Sequence, residues 1–525
     1  MQYQNPILKG FYPDPSICRV GKDYYLVNSS FEYLPGIPIF HSTDLLNWRL
    51  IGYGISRASQ MEFEGCFPNG GIFAPTIRYQ DGTFYITSTN VNHPGAFSPD
   101  GSGNFIITAK DPAGEWSDPI WIAQGGIDPS LFFDEDGRVY YASTKNITNE
   151  DGVHRSAIQM SEIDITTGKL LTESKIISYG CGGRFPEGPH IYKKDGYYYL
   201  MLAEGGTELG HRETISRSTD LWGPYEGCLH NPILSAMNEN DPGISALGHA
   251  DIVETEDGKW WMVFLCQRLS EQYYHHLGRE TGIAPMEWVD GWPIVYGGKV
   301  PEEAMVVDDM PQIQVFKDTN IRTVFDQETL GLEWNFLRTF YSDYQLDGKK
   351  LILTGNEYSL NDNATPAFIA KRQQDFECRM ELSIEFMPAK ENEEAGLALM
   401  HMGHGHYDLV ITKRDNQKVI LLRRTVFDMV TETISEPVPL DEVQLKIVAD
   451  RYTYEFYYGM NSSYILLGTA KTKLLSSEVI GGCIGVLTGI YASGNGTPST
   501  QTAAISWFDY EVLPAKPKRA MYSFD

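Results

Sequence analysis

The stretch DPSLFFDEDGRVYYAS, residues 128–143, is one of five copies of a single pattern that decides the fold. Each copy starts with a small residue, an acid or a histidine, continues with a short apolar run, turns at a Gly-containing pair and ends in aromatic or β-branched residues. The other copies are DPSICRVGKDYYLV (14–27), APTIRYQDGTFYIT (74–87), GPHIYKKDGYYYLML (188–202) and HADIVETEDGKWWMVF (249–264). Because Gly accepts the positive φ of a tight turn, each copy predicts a β-hairpin.

The five copies recur at a nearly constant interval. Their second positions fall at residues 15, 75, 129, 189 and 250, with spacings of 60, 54, 60 and 61 residues. Such an interval holds four short strands, and a series of four-stranded repeats is typical of a β-propeller. An α/β barrel would need an amphipathic helix of roughly 10–15 residues between strands, and the sequence between the copies has no such pattern. Residues 1–315 are therefore predicted to form a five-bladed β-propeller.

The rest of the chain, residues 320–525, has a different pattern. Its apolar and alternating runs are longer, as in FECRMELSIEFMP (376–388) and HYDLVITKR (406–414), and polar turns join them. The repeat does not continue there. Long alternating strands predict an antiparallel β-sandwich. The fold class is therefore all-β, with a propeller followed by a sandwich.

Charge and composition exclude several partners. The formal net charge is −27, whereas a nucleic-acid partner calls for a basic patch. No apolar run reaches the ~18 residues of a membrane-spanning helix. The N-terminus lacks a basic segment followed by an apolar one, and the seven cysteines are odd in number and widely spaced, as reduced thiols are. We expect a cytoplasmic protein. The sequence leaves its oligomeric state open, and a homo-oligomer is compatible with it.

Charged residues stand at the first position of several repeats, where a propeller needs small or apolar side chains near its axis. In chain order the five positions are Asp14, Ala74, Asp128, Gly188 and His249. Glu187 directly precedes the fourth. Since the first strand of each blade lines the central axis, these side chains should meet at one mouth of the channel. A single Asp-Pro pair also has a purely structural explanation, in which the Asp side chain accepts a hydrogen bond from the backbone of its own turn.

Carboxyl groups that share a pocket are suited to the hydrolysis of a glycosidic bond. One protonated carboxyl donates a proton to the leaving oxygen, and one ionised carboxylate activates water or attacks the sugar. Glu187 lies between Pro186 and a Gly-Pro pair, and a site with little water raises a carboxyl pKa. We therefore expect Glu187 to be the acid and Asp128 to hold and tune it.

Three histidines invite a metal-site interpretation. His404 and His406 in HMGHGHYD (401–408) would share one strand face, and His-x-His can ligate zinc. No repeat places another Asp, Cys or His beside them, and the Gly-rich setting is typical of a hairpin tip. We expect a solvated turn that includes His401, with no metal site and no cofactor.

Several long segments together resemble glycoside hydrolase family 43, in particular its two-domain β-xylosidases and α-L-arabinofuranosidases. They include GGIFAPTIRYQDGTFY (70–85), GGIDPSLFFDEDGRVYY (125–141), RFPEGPHIYKKDGYYYLML (184–202), LGHADIVETEDGKWWMVF (247–264) and HHLGRET (275–281). The resemblance covers the whole chain. It implies a five-bladed propeller followed by a concanavalin-A-like β-sandwich, and a mechanism that inverts the anomeric carbon.

The resemblance also implies roles for individual residues. Asp14 corresponds to the general base, Glu187 to the general acid and Asp128 to the residue that orients the acid and tunes its pKa. The matched substrate-binding positions are Phe31, Phe73, Thr207, His249, Arg279 and Tyr491. Phe73 stands where many members have Trp, which alters one wall of the sugar pocket. Tyr491 lies in GIYASGNG (489–496), a segment similar to a sandwich loop that reaches over the pocket.

Three functions are consistent with this sequence, in order of preference. The first is an exo-acting inverting glycosidase that releases xylose from the non-reducing end of β-1,4-xylo-oligosaccharides, with a short oligosaccharide as its partner. The second is an α-L-arabinofuranosidase, alone or combined with xylosidase activity, because the two sugars place equivalent hydroxyls alike. The third is a non-catalytic sugar-binding propeller, which has no use for three carboxylates. A retaining fructosidase on a related fold is disfavoured, because its N-D-P-N-G and R-D-P motifs are absent.

Overall fold

The chain is seen in a computed structural model that describes most of its length. The described residues are 2–61, 63–93, 96, 103–148, 154–239, 243–271, 273–307, 322–460 and 463–518. The chain divides into two compact units. The first comprises Met1–Met61, Gly70–Arg268 and Arg279–Val315, and the second comprises Glu62–Asn69, Leu269–Gly278 and Phe316–Asp525. The junction that we predicted at residues 315–320 lies outside the described residues.

Five antiparallel sheets form the blades of the first unit, each built from consecutive strands. Blade 1 has Ser16–Val20, Asp23–Val27, Gly36–Ser42 and Arg49–Ile55. Blade 2 has Thr76–Gln80, Thr83–Thr89, Asn104–Ala109 and Ile120–Ile122. Blade 3 has Ile127–Phe133, Val139–Thr148, His154–Asp164, Lys169–Leu170 and Lys175–Ser178. Blade 4 has Glu187–Lys194, Tyr197–Glu204, Arg212–Ser218, Glu226–Gly227 and Leu234–Ser235. Blade 5 has Ile244–Glu254, Trp260–Arg268, Glu280–Val289 and Trp292–Val295. A two-residue strand, Tyr33–Leu34, lies between the second and third strands of blade 1 in sequence. The predicted five-bladed propeller is confirmed.

The hairpins of the repeat form where the sequence predicts them, because their turn residues tolerate left-handed backbone. In blade 2, Thr76 pairs with Thr87 across the turn, and Asp81 and Gly82 at the tip have φ of 49° and 74°. Two consecutive positive φ values define the type I′ turn, whose twist matches that of the flanking strands. The glycine in each of the five turns has positive φ, so these glycines favour the hairpins from which the blades are built.

The N-terminal segment joins the last blade. Gln2–Gln4 pairs antiparallel with Ala304–Val306. The side-chain amide of Asn5 donates to the carbonyl of Ile283 (3.0 Å), and its oxygen accepts from the N–H of Ile283 (2.9 Å). The beginning of the chain is thus bonded to blade 5, which ties the ends of the propeller together.

Apolar side chains fill the space between neighbouring blades. Between blades 3 and 4, for example, Tyr140, Ile158 and Met160 pack in one buried cluster with Ile191 and Leu200. The facing surfaces of blades 3 and 4 are therefore apolar, as packed sheets require.

A buried polar layer lies on the axis two to four residues further along the first strands than the repeat positions. Asp251 accepts hydrogen bonds from Ser16 Oγ (2.6 Å) and Tyr192 Oη (2.6 Å) and pairs with Arg78 Nη1 (2.7 Å). A second nitrogen of Arg78 donates to His190 Nδ1 (2.9 Å). Burial would raise the pKa of Asp251, but Arg78 and His190 outweigh it and lower that pKa overall. Four blades therefore meet at one ionised carboxylate.

Two large antiparallel sheets form the sandwich of the second unit. The strands of one sheet, in spatial order, are Tyr344–Leu346, Leu351–Thr354, Thr502–Val512, Cys378–Glu385, Glu442–Ala449, Thr453–Met460 and Ser463–Lys471, and Arg322–Val324 pairs beside Thr502–Val512. The other sheet carries Met429–Ile434, Gln417–Val426, Gly405–Arg414, Glu394–Met402, Leu487–Ser493, Ala367–Arg372 and Asn335–Leu337. The predicted sandwich is confirmed.

Helical structure is scarce in the described residues. It consists of the 3₁₀ turns Tyr296–Gly298 and Thr472–Leu475 and one short α-helix, Ser477–Ile480. Within the described ranges, no helix has the length and apolar character that crossing a membrane requires.

Candidate active site

Four of the five repeat positions share the same local distortion. The first strands of blades 3, 4 and 5 have register shifts that span residues 128–129, 188–189 and 249–250. Asp14, Asp128, Gly188 and His249 all have left-handed backbones, with φ of 52°, 54°, 57° and 47°. β-Bulges re-aim side chains beside active sites, and such backbone in non-glycine residues is concentrated at functional sites. The repeat therefore directs a matched set of side chains away from the regular sheets.

Asp14 is a buried carboxylate that is held in its ionised form. Arg279 Nη1 donates to its Oδ1 (2.7 Å), Arg279 Nη2 donates to its Oδ2 (3.3 Å), and Ser29 Oγ donates to the same Oδ2. Burial pushes the pKa of Asp14 up, but Arg279, His249 and Ser29 outweigh it, and the pKa lies below its ordinary value. Asp14 can therefore accept a proton at neutral pH.

Glu187 and Asp128 behave in the opposite way. Burial, followed by the charge of Asp14, raises the pKa of Glu187 to about 7. Burial and the charges of Glu187 and Asp14 raise the pKa of Asp128 well above its ordinary value. The backbone N–H of Gly188 donates to Asp128 Oδ2 (3.3 Å), so Asp128 is bonded to the residue next to Glu187. This pair retains a proton at a pH where Asp14 has none.

His249 lies beside Asp14 and against the backbone of Gly188. Its Nδ1 is 3.9 Å from Asp14 Oδ1. A Cβ at Gly188 would come within 3.1 Å of its ring, so the glycine of PEGP leaves room for the imidazole beside Glu187. Burial lowers the pKa of His249, and the ring is therefore neutral at neutral pH.

His211 is a polar residue near the site that the repeat did not reveal. It is almost fully buried, and its Nδ1–H donates to the carbonyl of Ala246 (2.9 Å). Its Nε2 has no hydrogen-bond partner among the described residues. Burial lowers the pKa of His211 to about 4, and the residue contributes to the electrostatics of Asp14. His211 lies in a loop between two strands of blade 4, outside the repeat, so only the fold reveals it.

An aromatic wall lies beside the Asp14 pair. The guanidinium carbon of Arg279 is 5.3 Å from the centroid of the Phe31 ring, a cation–π distance. Phe31 packs against Phe73 at 5.1 Å and against Phe11 at 5.6 Å between ring centroids. Phe31 is buried and Phe73 is half-buried. The structure therefore brings the predicted residues Phe31, Phe73 and Arg279 together.

Thr207 also reaches Arg279. Arg279 Nη1 donates to Thr207 Oγ1 (3.3 Å), and Gln267 Nε2 donates to the backbone carbonyl of Thr207 (3.2 Å). One guanidinium therefore links Thr207 to Asp14. Gln267, like Ser29, supports the site from a position that has no signature in the repeat.

Tyr491 does not lie in a loop, and this prediction is wrong. It belongs to the strand Leu487–Ser493, its ring is buried, and its hydroxyl donates to Glu394 Oε1 (3.1 Å) within the sandwich. Its neighbours Ile490 and Gly489 pair with Ile369 and Ala370, so residues 487–493 form a paired strand and not a loop. A contribution of the sandwich domain to the site stays a prediction.

The histidines of 401–408 form no metal site in the described part of the chain. His404 is at the predicted hairpin tip, but His401 and His406 are buried in strands, which corrects the expectation of a solvated turn. His401 Nε2 bonds to the carbonyl of Gly481 (3.0 Å), and His406 Nδ1 pairs with Asp408 (2.7 Å). Among the described residues, no three His, Cys, Asp or Glu side chains are arranged to hold a metal ion. The three rings therefore serve separate hydrogen bonds.

The carboxylates thus divide by protonation. Asp14 is ionised and is fixed by a cation, whereas the pKa of Glu187 is raised to about 7 and that of Asp128 is raised well above its ordinary value. A proton acceptor and a proton donor that are poised on different blades of one propeller are what general acid–base catalysis requires.

Comparisons with known proteins show which family the two parts of the chain resemble. The model of "Glycosyl hydrolases family 43" matches residues 3–293, and that of "Beta xylosidase C-terminal Concanavalin A-like domain" matches residues 322–511. A non-reducing end alpha-L-arabinofuranosidase of Bacteroides ovatus is 44% identical over 97% of this chain and 95% of its own length. A xylosidase/arabinosidase of Butyrivibrio fibrisolvens is 38% identical over 97% and 99%. The crystal structure of a xylan beta-1,4-xylosidase from Bacillus halodurans superposes with a TM-score of 0.88 at 33% identity, over 97% of this chain and 100% of that one.

Proposed function

The chain belongs to glycoside hydrolase family 43 and is a glycosidase, and we propose that it is an exo-acting, inverting enzyme that releases xylose from the non-reducing end of β-1,4-xylo-oligosaccharides. The observation that carries the proposal is the contrast between Asp14, whose pKa is lowered, and Glu187, whose pKa is raised to about 7. This contrast supplies a base and an acid at the same pH.

In the proposed mechanism Asp14 is the general base. It removes a proton from a water molecule while the water oxygen bonds to the anomeric carbon. Glu187 is the general acid and gives its proton to the glycosidic oxygen as the bond to the anomeric carbon breaks. The leaving sugar departs as a neutral alcohol, and attack from the opposite side inverts the anomeric configuration. Proton exchange with solvent then restores both carboxyl groups.

Asp128 acts through Glu187 and does not react itself. Its bond to the N–H of Gly188 supports a role in positioning the acid. Its charge interaction with Glu187 supports a role in keeping the proton on the pair. Arg279, which spans Asp14 and Thr207, and Phe31 beside it supply the donors and the apolar surface that a sugar ring needs.

α-L-Arabinofuranoside is the second candidate substrate, favoured by the Bacteroides ovatus relative at 44% identity. The experiment that decides between the two is the ratio of kcat/KM on 4-nitrophenyl β-D-xylopyranoside and 4-nitrophenyl α-L-arabinofuranoside, which share a leaving group. A higher value on the xyloside is the expected result. A higher value on the arabinofuranoside makes that sugar the principal substrate, and inactivity on both contradicts the proposal.

The proposal includes a cytoplasmic location. The thiols of Cys18, Cys228 and Cys266 are buried and form no disulfide, which suits a reducing compartment. Immunodetection of the protein in fractionated cells tests this point, and recovery outside the cytoplasmic fraction contradicts it.

A further inference from the structure

Phe185 is an exposed aromatic residue two positions before Glu187. Half of its surface, 50%, is accessible to solvent, although phenyl rings are usually core residues. Its backbone is left-handed, with φ of 51°, which is uncommon for a bulky side chain. The backbone preference of Phe does not account for its presence here. An exposed apolar ring in the segment that leads into the candidate acid is accessible to a ligand.

Contacts place the Phe185 ring beside the candidate active site. Gly206 lies directly against it: a Cβ on Gly206 would be 3.5 Å from Phe185 Cδ2. The N–H of Gly205 donates to the carbonyl of Arg184 (2.6 Å), so the segment that leads into Glu187 is bonded to the segment that leads into Thr207. The ring therefore lies where the strand of the acid meets the residue that contacts Arg279.

Arg184 adds polar groups to the exposed ring. Its guanidinium carbon is 5.3 Å from the centroid of Phe185, and the Arg184 side chain is itself exposed. An aromatic face next to N–H donors matches a sugar ring, whose C–H groups pack on the aromatic face while its hydroxyls accept hydrogen bonds. A lipid or an apolar peptide would not need these donors.

The position relative to Glu187 identifies which sugar the ring would contact. A general acid must lie beside the oxygen of the leaving group, because it protonates that oxygen. The sugar that is released lies on the side of Asp14 and Arg279. An exposed ring two positions before the acid in the chain, which does not contribute to the buried Phe31–Phe73 wall, is suited to the departing sugar.

We propose that Phe185, with Arg184, forms the stacking platform for the leaving-group sugar and so determines the preference for oligosaccharides over other glycosides. This inference rests on the proposed function, since it requires a glycosidic bond to be cleaved at Glu187. It is independent of whether the released sugar is xylose or arabinofuranose. Phe185 is a specificity residue in this proposal and takes no part in proton transfer.

The test compares two substrates that differ only in the leaving group. Xylobiose carries a sugar, and β-D-xylopyranosyl fluoride carries a single atom that cannot stack. Phe185→Ala should lower kcat/KM on xylobiose by roughly 10- to 100-fold, the effect of removing one buried aromatic contact. On the fluoride the change should stay below about twofold. Phe185→Tyr should restore the xylobiose rate, and Phe185→Leu should fall between.

Tyr79→Ala is the matched control. Tyr79 is another exposed aromatic of the first unit, but it lies in the strand Thr76–Gln80 near the Asp81–Gly82 turn of blade 2. Its removal should affect both substrates alike. Circular dichroism melting of each variant establishes that it is folded. If Phe185→Ala is not folded, Phe185→Leu replaces it in the comparison. If arabinofuranosides are the better substrates, the same comparison uses an arabinofuranosyl oligosaccharide and the corresponding fluoride.

The outcomes separate this inference from the proposed function. A wild-type enzyme that hydrolyses neither the xylosides nor the arabinofuranosides contradicts the proposed function, whatever Phe185 does. The stacking role of Phe185 is contradicted if the wild type is active but Phe185→Ala loses activity equally on both substrates. It is also contradicted if Phe185→Ala loses activity on neither substrate. A change in oligomeric state on gel filtration, without a change in substrate preference, also overturns it, because the ring would then be an interface between copies of the chain.

Discussion

Arg279 and Asp14 form a bidentate ion pair: Nη1 lies 2.7 Å from Oδ1 and Nη2 lies 3.3 Å from Oδ2, and both side chains are buried. The fork of a guanidinium matches a carboxylate in this way, whereas an ammonium group cannot. The pair keeps Asp14 ionised despite its burial, and it fixes the orientation of the carboxylate. Base strength and geometry at the site therefore depend on the same cation.

Arg279→Lys should weaken the enzyme and move its pH profile. The Lys ammonium keeps the charge but loses the second hydrogen bond, so we expect kcat/KM to fall by roughly 10- to 100-fold. Because Arg279 lowers the pKa of Asp14, that pKa should rise, and the acidic limb of the profile should move to higher pH. Arg138→Lys, at an exposed pair with Asp136, should change neither property. An unchanged acidic limb in Arg279→Lys would contradict the conclusion that Arg279 lowers the pKa of Asp14.

The stereochemical outcome tests the role of Asp14 directly. If Asp14 activates water, hydrolysis of an aryl β-D-xyloside gives α-xylose as the first product. Proton NMR during the first minutes, before mutarotation, distinguishes the two anomers. β-Xylose as the first-formed anomer would make Asp14 a nucleophile and would rule out inversion.

Leaving groups separate the acid from the base. Xylobiose needs a proton on its departing oxygen, whereas 4-nitrophenolate is stable without one. Glu187→Gln should therefore lose roughly 10²- to 10⁴-fold on xylobiose and much less on the aryl xyloside. Asp14→Asn removes the base that both substrates require and should slow both by similar large factors. Asp128→Asn should resemble a milder Glu187→Gln, and equal losses on both substrates in Glu187→Gln and in Asp14→Asn would show that the assignments are wrong.

The basic limb of the pH profile should report Glu187. Its pKa is raised to about 7, and the acid is active only when protonated. The kcat/KM on xylobiose should therefore decline as the pH rises through about 7, whereas the acidic limb, set by Asp14, lies below the ordinary range of an aspartate. Residual turnover of the aryl xyloside by Glu187→Gln should lack the basic limb. A wild-type rate that is constant up to pH 9 is incompatible with this role.

The axial carboxylate should matter for stability. Asp251 is buried and pairs with Arg78, and removing one partner of a buried pair costs roughly 3–5 kcal/mol. Asp251→Asn should lower the free energy of unfolding in urea by that amount. Because the pKa of Asp251 is lowered in the folded state, the wild-type contribution is present at neutral pH and is lost as the pH falls below the ~3.9 of an unfolded aspartate.

Asp23→Asn is the control for the axial pair. Asp23 pairs with His41 at 2.6 Å, but both side chains are partly exposed, and such pairs contribute about 0–1 kcal/mol. Similar losses of unfolding free energy in Asp23→Asn and in Asp251→Asn would mean that the axial layer contributes no more to stability than a partly exposed ion pair. A loss confined to Asp251→Asn supports the role of the layer in holding four blades together.

Much of the propeller and of its acidic site follows from local sequence. The D-G turns produce the hairpins because Asp81 and Gly82 tolerate left-handed backbone, and the repeat interval determines the number of blades. The equivalence of the repeat positions then brings Asp14, Asp128 and His249 to one axis. The error at Tyr491 has a local cause as well: Gly, Ser and Asn follow it closely, and their turn preference concealed a strand that ends only at Ser493.

Sequence by itself determined the features that depend on neighbours along the chain: hairpins, blade count, the change of pattern after residue 315 and the acids at or next to several repeat positions. Only the tertiary structure decided which distant groups meet those acids. Arg279 is 265 residues from Asp14 and reaches it because the first and last blades are adjacent in the closed ring. His211, Gln267 and Phe185 likewise carry no local signature. Turn and strand preferences act over a few residues, whereas ion pairs and pKa shifts depend on distance and burial in space.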